Sequence, residues 1–587
     1  MIDSPFRLPR YTPFGLGESV VEWATGLSKL DRLYQDRQDE LSSFEFMNYT
    51  LSALNIDYSI ASGSTDNIPK EGPVVIVANH PLGAIEGVIL ADLVGSVRKD
   101  VKVLANELLK RLPELDDLFI GVDVFNSKES KRTNAKAIRD ANRHLADGGL
   151  LIVFPAGEVS NYRKGAKTLT DIEWSKSVAK FVKRHQATTV PIFINGKNSE
   201  LFYQAGRVHP LLRTALLGRE LLNKQATTIS ISIGASIPYS EIKSFEQEMD
   251  IVNYLRLNTY LMSQQESSDS PIQAPSFDTQ VIAPIPSEVL AIEVGSLPNE
   301  MKLLEQGEFE VYCTPSQSIP NLMREIGRVR EESFREVGEG SGLACDLDEY
   351  DLYYHQLFVW NKAKAELVGA YRLGMVDKLI AEHGLDQLYS RSLFNYNQEF
   401  IDTLENSIEL GRSVVSKPYQ KSLNSLLLLW KGIATFVSRH PQYTHLFGPV
   451  SISNDYSHNA RLLIATTLSI HHYDEEKANL VSPSSPLNSS SHVFWQNHLL
   501  SSLASVPLLS KVLARMEQGK GLPVLLRQYL GMNGKLVCFN VDPSFNDALD
   551  GLIVVNLKKV PLKTLGKYMG REQAQDYLDS HTSSQAQ

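Results

Sequence analysis

Cysteine is scarce in this chain. There are three in 587 residues, Cys313, Cys345 and Cys538, far apart and in no CxxC pattern. That excludes a disulfide framework and a cysteine zinc site, predicts no bound metal, and points to a reducing compartment. Basic charge is also in deficit: 58 Lys and Arg stand against 68 Asp and Glu, a formal net charge of -10. A general nucleic-acid binder should be basic, so no nucleic-acid partner is expected. Long apolar runs are missing too. The best candidate, 73–95, is broken by Asn79, His80, Pro81, Gly83 and Glu86, and a membrane span needs about 18 apolar residues in succession. The opening stretch MIDSPFRLPRYTPFGLGESVV has no continuous apolar core of signal-peptide length. The expectation is a cytoplasmic protein, peripheral on the inner face of a membrane.

What is present is ordinary globular composition, 43% hydrophobic and 21% charged, in a chain long enough for more than one domain. Apolar residues at three- and four-residue spacing make 1–64 a helical segment. From 65 to 245, strand-like runs such as PVVIVAN, VKVLA, GLLIVFPAG, TTVPIFING and TTISISIGASI alternate with helical ones, which predicts an α/β layer structure. A Ser-, Pro- and Gln-rich stretch, 264–288, marks a linker, drawn at 246–294. It predicts that a cut between 264 and 288 leaves two separately folding halves. A second α/β pattern occupies 295–587.

Two places carry chemistry. In PVVIVANHPLGAIEG a buried strand delivers His80 into a glycine-bearing turn, with Glu86 six residues on. Strand ends are where α/β sheets put ligand sites. A hydroxyl attacking a thioester needs a base near neutral pH, and a carboxylate can fix the imidazole tautomer and stabilise its charged form. A lone NHP is more often a turn histidine with a helix-capping acid. The block FPAGEVS, 154–160, at the end of a second strand turns the balance toward a catalytic cleft.

NHPLGAIEG and FPAGEVS resemble the glycerolipid acyltransferase family, in its lysophospholipid-acyltransferase and haemolysin-like branch, over about 65–245. The resemblance implies an O-acyltransferase with His80 and Glu86 as catalytic pair and Asn79, Gly157, Glu158, Ser160 and Arg163 on the substrate side. Best-known members carry His, four residues, then Asp; here five residues separate His80 from Glu86. Their FPEG block continues into a cationic pair that holds a glycerol phosphate. Here Glu158 and Val159 take that place, and Arg163 and Lys164 are the nearest cations in sequence. Glu158 suits a neutral or amine-bearing acceptor better than a phosphomonoester.

The second place is VGAYRLG, 368–374, followed by SIELGRSVVSKPYQKSLNSLLLLW. A strand, a basic turn and an amphipathic helix resemble a GNAT-type N-acyltransferase. The glycines with which such enzymes cradle a coenzyme A pyrophosphate are missing from Gln420–Ser425, which favours acyl carrier protein over coenzyme A as donor. With the closing segment 521–557, the blocks resemble the ornithine N-acyltransferase family over about 295–560. That resemblance implies Glu409 as proton acceptor, Arg372 and Arg412 as substrate-binding cations, and Asp346 and Asp348 as residues that order the donor-side loop. Glu409 and Arg412 could equally be an edge-strand ion pair.

Together the resemblances imply two α/β domains, an acyltransferase-type sheet with flanking helices followed by a GNAT-type domain. Jointly they describe a bifunctional ornithine-lipid synthase. The C-terminal half would N-acylate ornithine or another amino acid with a 3-hydroxyacyl group, and the N-terminal half would O-acylate the lyso-lipid. No bound cofactor is implied; the donor is acyl-acyl carrier protein or acyl-coenzyme A. Two alternatives stay open: a lysophospholipid acyltransferase with a non-catalytic C-terminal half, and a non-enzymatic lipid-binding scaffold.

Overall fold

The computed structural model describes residues 4–12, 15–38, 40–123, 128–162, 168–265, 277–488, 495 and 497–582. The chain divides into two compact units. One is Met1–Asp269 with His492–Gln518; the other is Ser270–Ser491 with Gly519–Gln587.

The first unit is built on a seven-stranded sheet. Its strands are β1 (Asp57–Ser62), β2 (Val74–Ala78), β3 (Val101–Asn106), β4 (Phe119–Val122), β5 (Leu150–Val153), β6 (Thr188–Asn195) and β7 (Thr228–Ile233), in the order β1-β7-β6-β2-β5-β3-β4. All pairs are parallel except β6 with β7. The run VVIVA of β2 is buried at every residue, as a central parallel strand covered on both faces must be. Helix Ala84–Gly95 follows it and is apolar nearly all round, so it too is buried. Tyr34, Phe46, Met47, Leu51 and Leu54, from the segment 1–64, join the same core as β2 and this helix.

The expected linker contains a core element. Helix Glu248–Gln265 falls within 246–294 yet buries Ile251, Val252, Leu255, Leu257 and Leu261. Only three of its 18 residues are acidic or basic, Glu248, Asp250 and Arg256, so the polar composition at 264–288 hides a helix ending at 265. Residues 266–276 lie outside the described ones.

Segment 492–518 also departs from the expectation. It lies within 295–587 but belongs to the first unit. Helix Val506–Met516 buries Leu508, Leu509, Val512 and Leu513. Arg515 reaches Glu241 Oε1 at 2.7 Å, the Tyr254 hydroxyl at 3.0 Å and Asn258 Oδ1 at 3.2 Å. Asn253 Nδ2 donates to the His498 carbonyl at 3.1 Å. A cut between 264 and 288 therefore leaves the first unit without a piece of its own core. Among the described residues no single helix is long and apolar enough to cross a membrane.

The second unit carries an eight-stranded sheet: β8 (Lys302–Gln306), β9 (Phe309–Pro315), β10 (His355–Asn361), β11 (Glu366–Met375), β12 (Ser407–Val415), β13 (His445–Ile452), β14 (Lys535–Asp542) and β15 (Ala548–Asn556), in the order β8-β9-β10-β11-β12-β13-β15-β14. Helix Pro320–Glu336 packs Leu322, Ile326 and Val329 into a core with Phe358, Ala370 and Val414. Helix Leu423–Arg439 approaches Val311 and Leu357 so closely that a Cβ at Gly432 would meet Val311 at 2.7 Å. Leu357 and Phe358 are consecutive in β10 and point to opposite faces, so the two helices cover opposite faces of the sheet.

One pair in this sheet is parallel. β12 and β13 match only as Ser407–His445, Ile408–Leu446 and Glu409–Phe447, and then diverge. Arg412 has a left-handed φ of 51°, which bends β12 away. A Cβ at residue 448 would lie 2.0 Å from the Leu410 carbonyl oxygen, so only glycine fits at the fork.

Candidate active sites

In the first unit, β2 ends at Ala78 and hands the chain to Asn79 and His80. Asn79 is buried and clasps β6: its Nδ2 donates to the Ile194 carbonyl at 2.9 Å, and its Oδ1 accepts the Ile194 N–H at 2.7 Å. It holds the strand end in place instead of facing the cleft. His80 Nδ1 is hydrogen-bonded to Glu86 Oε2. The five-residue gap is absorbed by Gly83, whose φ of 98° starts the helix, and by the reach of Glu86, whose Oε1 accepts the Leu82 N–H. Glu86 is fully buried, while the His80 side chain keeps 18% of its surface exposed. With Nδ1 taken, Nε2 is the nitrogen left for a substrate hydroxyl. Burial alone would lower the His80 pKa, but the Glu86 carboxylate and, behind it, Asp171 outweigh that and raise it above 6.5.

Asp171 is the hub of this site. One of its oxygens accepts the His80 N–H at 3.2 Å and the Ser160 hydroxyl at 2.5 Å; the other accepts the Trp174 indole N–H at 2.8 Å. Its own N–H donates to the Tyr260 hydroxyl and its carbonyl accepts from Arg256 Nη2. Ser160 completes the link by donating its N–H to the His80 carbonyl at 2.8 Å. Ser160 is thus a strut between the two strand-end turns. No motif announced Asp171; its neighbours Tyr260 and Arg256 sit in the helix that the composition assigned to a linker.

In the FPAGEVS turn, Gly157 has a φ of 70°, and an added Cβ there would meet nothing within 4 Å. Open space thus lies in front of this turn. Glu158 accepts from Arg213 Nη2 at 2.5 Å. The cation beside this turn comes from 53 residues beyond Ser160 in sequence, out of reach of local motif reading; Arg163 and Lys164 lie outside the described residues. An apolar cavity of about 110 Å³ runs beside the helix that follows His80, lined by Ala84, Ile85 and Val88 and by Tyr34, Phe46 and Tyr49 of the N-terminal helices.

In the second unit the sequence-derived residues do come together, but with divided tasks. Glu409 is buried and its carboxylate is saturated. Oε2 accepts the Tyr354 hydroxyl and the Tyr389 N–H (3.1 Å); Oε1 accepts the Ser390 N–H (2.7 Å) and hydroxyl. It clasps the 389–390 turn and presents no lone pair to an amine, so the proton-acceptor role read from sequence does not fit its surroundings. Arg372 is fully buried, paired with Asp348 and 3.5 Å from Asp351, and its guanidinium carbon lies 4.6 Å from the Tyr389 ring centre. Asp346 and Asp348 also face Arg412, at 3.5 and 3.3 Å. The loop is thus ordered by charge, as its acids suggest, with Arg330 as a third cation whose Nη1 donates to both Asp351 carboxylate oxygens, at 2.9 and 3.0 Å.

Of these residues, Arg412 lines open space. A polar cavity of about 140 Å³ lies where β12 and β13 diverge, bounded by Tyr389, Gly411, Arg412, Ser451, Asp542 and Asp550, with Glu339 also in its wall. Arg412 Nε makes no hydrogen bond. Burial, with the neighbouring Asp542 charge, pushes Asp550 up to about 7 against the Ser451 hydroxyl and Arg412. Burial, with Asp550, Asp455 and Asp542, pushes Glu339 up to about 8.

Residues 31–269 match the family described as Acyltransferase, and residues 329–431 the Acetyltransferase (GNAT) domain. The chain is 35% identical over 219 residues to a glycine N(alpha)-acyltransferase of Phocaeicola vulgatus, covering 35% of this chain and 66% of that one. It is 36% identical over 220 residues to a glycine N(alpha)-acyltransferase of Bacteroides thetaiotaomicron, covering 35% and 64%. The chain thus spans just under two thirds of the length of these two relatives. A lyso-glycine lipid O-acyltransferase of Phocaeicola vulgatus is 30% identical over 220 residues, covering 34% of this chain and 75% of that one. The chain accordingly belongs to the acyltransferase family, with an acyltransferase domain in its N-terminal half and a GNAT-type domain in its C-terminal half.

Proposed function

We propose that the protein makes an aminolipid in two acyl transfers: the second unit N-acylates an α-amino acid with a 3-hydroxyacyl group, and the first unit O-acylates the 3-hydroxyl of that product. The observation that carries this reading is a His80–Glu86 pair in one unit and a separate carboxylate- and arginine-lined cavity in the other. The relatives bear the names of two such reactions. Joining both on one chain keeps the lyso intermediate at high effective concentration.

In the O-acyl step His80 Nε2 takes the hydroxyl proton, the oxygen forms a bond to the thioester carbonyl, and the C–S bond breaks with its electron pair on sulfur, which is then protonated. Glu86 stabilises the imidazolium between those events. The apolar cavity beside the His80 helix suits an acyl chain. Glu158 is paired with Arg213, and an acid at this turn suits a neutral or amine-bearing acceptor better than a phosphomonoester.

Glycine is the acceptor that the relatives' names suggest. Ornithine is the second reading, favoured by three carboxylates, Glu339, Asp542 and Asp550, around one arginine; a second ammonium would find a partner there. For the donor we propose an acyl carrier protein. The helix at Leu423 starts without glycine, and its Asn424 N–H is already capped by Ser422 Oγ at 3.3 Å, which leaves a poor cradle for a pyrophosphate.

The test is expression in a host lacking aminolipids, with mass spectrometry of the lipid extract. Mono- and diacylated amino-acid lipids are expected, with the mono-acyl form accumulating in His80→Ala. An extract with altered phospholipid acyl chains and no aminolipid would establish the lysophospholipid alternative instead.

A further inference from the structure

Resting on that reading, we propose that Asp550 receives the proton of the acceptor's ammonium, with Glu339 as the second carboxylate that seats the ammonium and Arg412 as the partner of its α-carboxylate. Around the 346–351 loop, Arg330, Arg372 and Arg412 balance Asp346, Asp348 and Asp351. Glu339, Asp542 and Asp550 have no such balance, yet all three line the same cavity. Buried carboxylates are retained where a cation completes them.

The three are not equivalent. Asp542 caps its own turn, accepting the Ser544 N–H at 2.9 Å. Asp550 is 3% exposed and uses Oδ1 for the Ser451 hydroxyl at 2.7 Å, which fixes its plane and leaves Oδ2 for the cavity. Glu339 lines the cavity beside it. The free Oδ2 of the buried Asp550 is the group that asks for a ligand; Arg412, nine-tenths buried, is the cation in the same wall, its Nε 3.5 Å from Asp346 and its Nη2 3.3 Å from Asp348. An ammonium between Asp550 and Glu339 and a carboxylate at Arg412 are the two ends of a zwitterion. The fork of β12 and β13 opens onto the same cavity, where the thioester would meet the amine.

The ammonium gives one proton to Asp550 Oδ2. The freed nitrogen lone pair forms the C–N bond to the thioester carbonyl. The C–S bond breaks with its pair on sulfur; the nitrogen loses its second proton, the thiolate gains one, and one proton is released overall. A carboxylate near pH 7 is matched to that exchange; burial, the Ser451 hydroxyl, Asp542 and Arg412 set it, Glu339 and Tyr389 face the same cavity, and Asp455 acts on Glu339.

The experiment uses the full chain, a 3-hydroxyacyl-carrier-protein donor and glycine or ornithine, with kcat/KM measured against pH. Asp550→Asn should lower N-acylation by about a hundredfold or more and remove the limb near pH 7. Glu339→Gln should raise the acceptor KM and change kcat much less. O-acylation of supplied lyso-lipid by Asp550→Asn checks that the chain is folded. N-acylation by Asp550→Asn with an unchanged pH profile would overturn the assignment. Absence of N-acyl product from the wild-type chain with either amino acid would overturn the two-reaction reading instead.

Discussion

The Tyr260 hydroxyl accepts the backbone N–H of Asp171 at 2.8 Å, so a residue of helix Glu248–Gln265 holds the residue that holds His80. Tyr260→Phe removes that acceptor and leaves the ring in place. The cost of a buried N–H without a partner is about 1–3 kcal/mol. O-acylation should fall several-fold, chiefly in kcat, while N-acylation stays unchanged. Equal loss of both activities in the purified variant would show a general folding defect instead.

Arg515 supplies the next prediction. Burial would raise the Glu241 pKa, but Arg515, the Tyr254 hydroxyl and Lys511 together hold it below 4.5. A folded-state value below the unfolded one adds stability that is present above pH 4.5 and lost as pH falls through the lowered value. Arg515→Ala should leave Glu241 buried without its main partner, at a cost on the order of 3 kcal/mol, and should erase this acid-sensitive part of the melting curve. A chain truncated at 269 should melt lower still, and adding 492–518 in trans or by fusion should restore it. Identical melting with and without 492–518 would refute its place in this unit.

The strands were legible because buried parallel strands are short β-branched runs, and β2 and β5 have no competing pattern. His80 and Glu86 could be found because they flank one turn. Asp171, Arg213 and Arg515 could not, since each acts across tens or hundreds of residues on partners chosen by tertiary packing. Helix Glu248–Gln265 hid beside a polar stretch, and its polar Arg256 and Asn258 are buried by partners remote in sequence. Glu409 was found for its charge, but only the geometry shows four donors closing around it. Asp542 and Asp550 lay inside a segment recognised as a whole and were not singled out, because a lone aspartate on a strand carries no motif.

The His80–Glu86 pair fixes a pH signature. His80 must be neutral at Nε2 to accept a proton, and its pKa is raised above 6.5. The rate of O-acylation should therefore climb with pH along a limb displaced above 6.5. Glu86→Gln removes the main cause of the rise: the limb should move down in pH while the plateau drops. The ion pair's contribution to stability follows the opposite course, full below pH 6.5 and lost as pH rises through the raised value. A limb that stays in place in Glu86→Gln would mean that another group sets it.

Helix Leu16–Ala24 has its acids turned inward and its apolar residues outward. Glu18 accepts the N–H groups of Tyr11 and Thr12 at 2.7 and 2.8 Å, and Glu22 accepts the Leu8 N–H at 2.8 Å. Leu16, Val20, Val21 and Trp23 are exposed, Trp23 by 77%. A Trp-bearing apolar face with its charges buried suits a bilayer interface. Val20→Asp with Trp23→Ala should reduce sedimentation with anionic phospholipid vesicles at least several-fold and leave the melting temperature unchanged. Undiminished vesicle binding, or no vesicle binding by the wild-type chain, would refute a membrane role for this face.

Glu409 and Asp550 separate by stability as well as by rate. Glu409→Gln puts an amide N–H₂ where two donors already point, so the Tyr354 hydroxyl and the 389–390 turn lose part of their anchor. Buried hydrogen-bond networks of this kind fail as a unit, at roughly 1–3 kcal/mol per unsatisfied group. The second unit should melt lower at every pH, and N-acylation should fall with it. Asp550→Asn should do the reverse above neutrality. The raised Asp550 pKa, about 7, means that the wild-type carboxyl stabilises the fold most below about pH 4 and loses that contribution as pH rises through 7. A neutral amide escapes the loss, so Asp550→Asn should gain melting temperature relative to wild type between pH 6 and 8 while N-acylation collapses. If Glu409→Gln instead melts like wild type and only its rate changes, Glu409 is the proton acceptor and Asp550 is a bystander in the wall of the cavity.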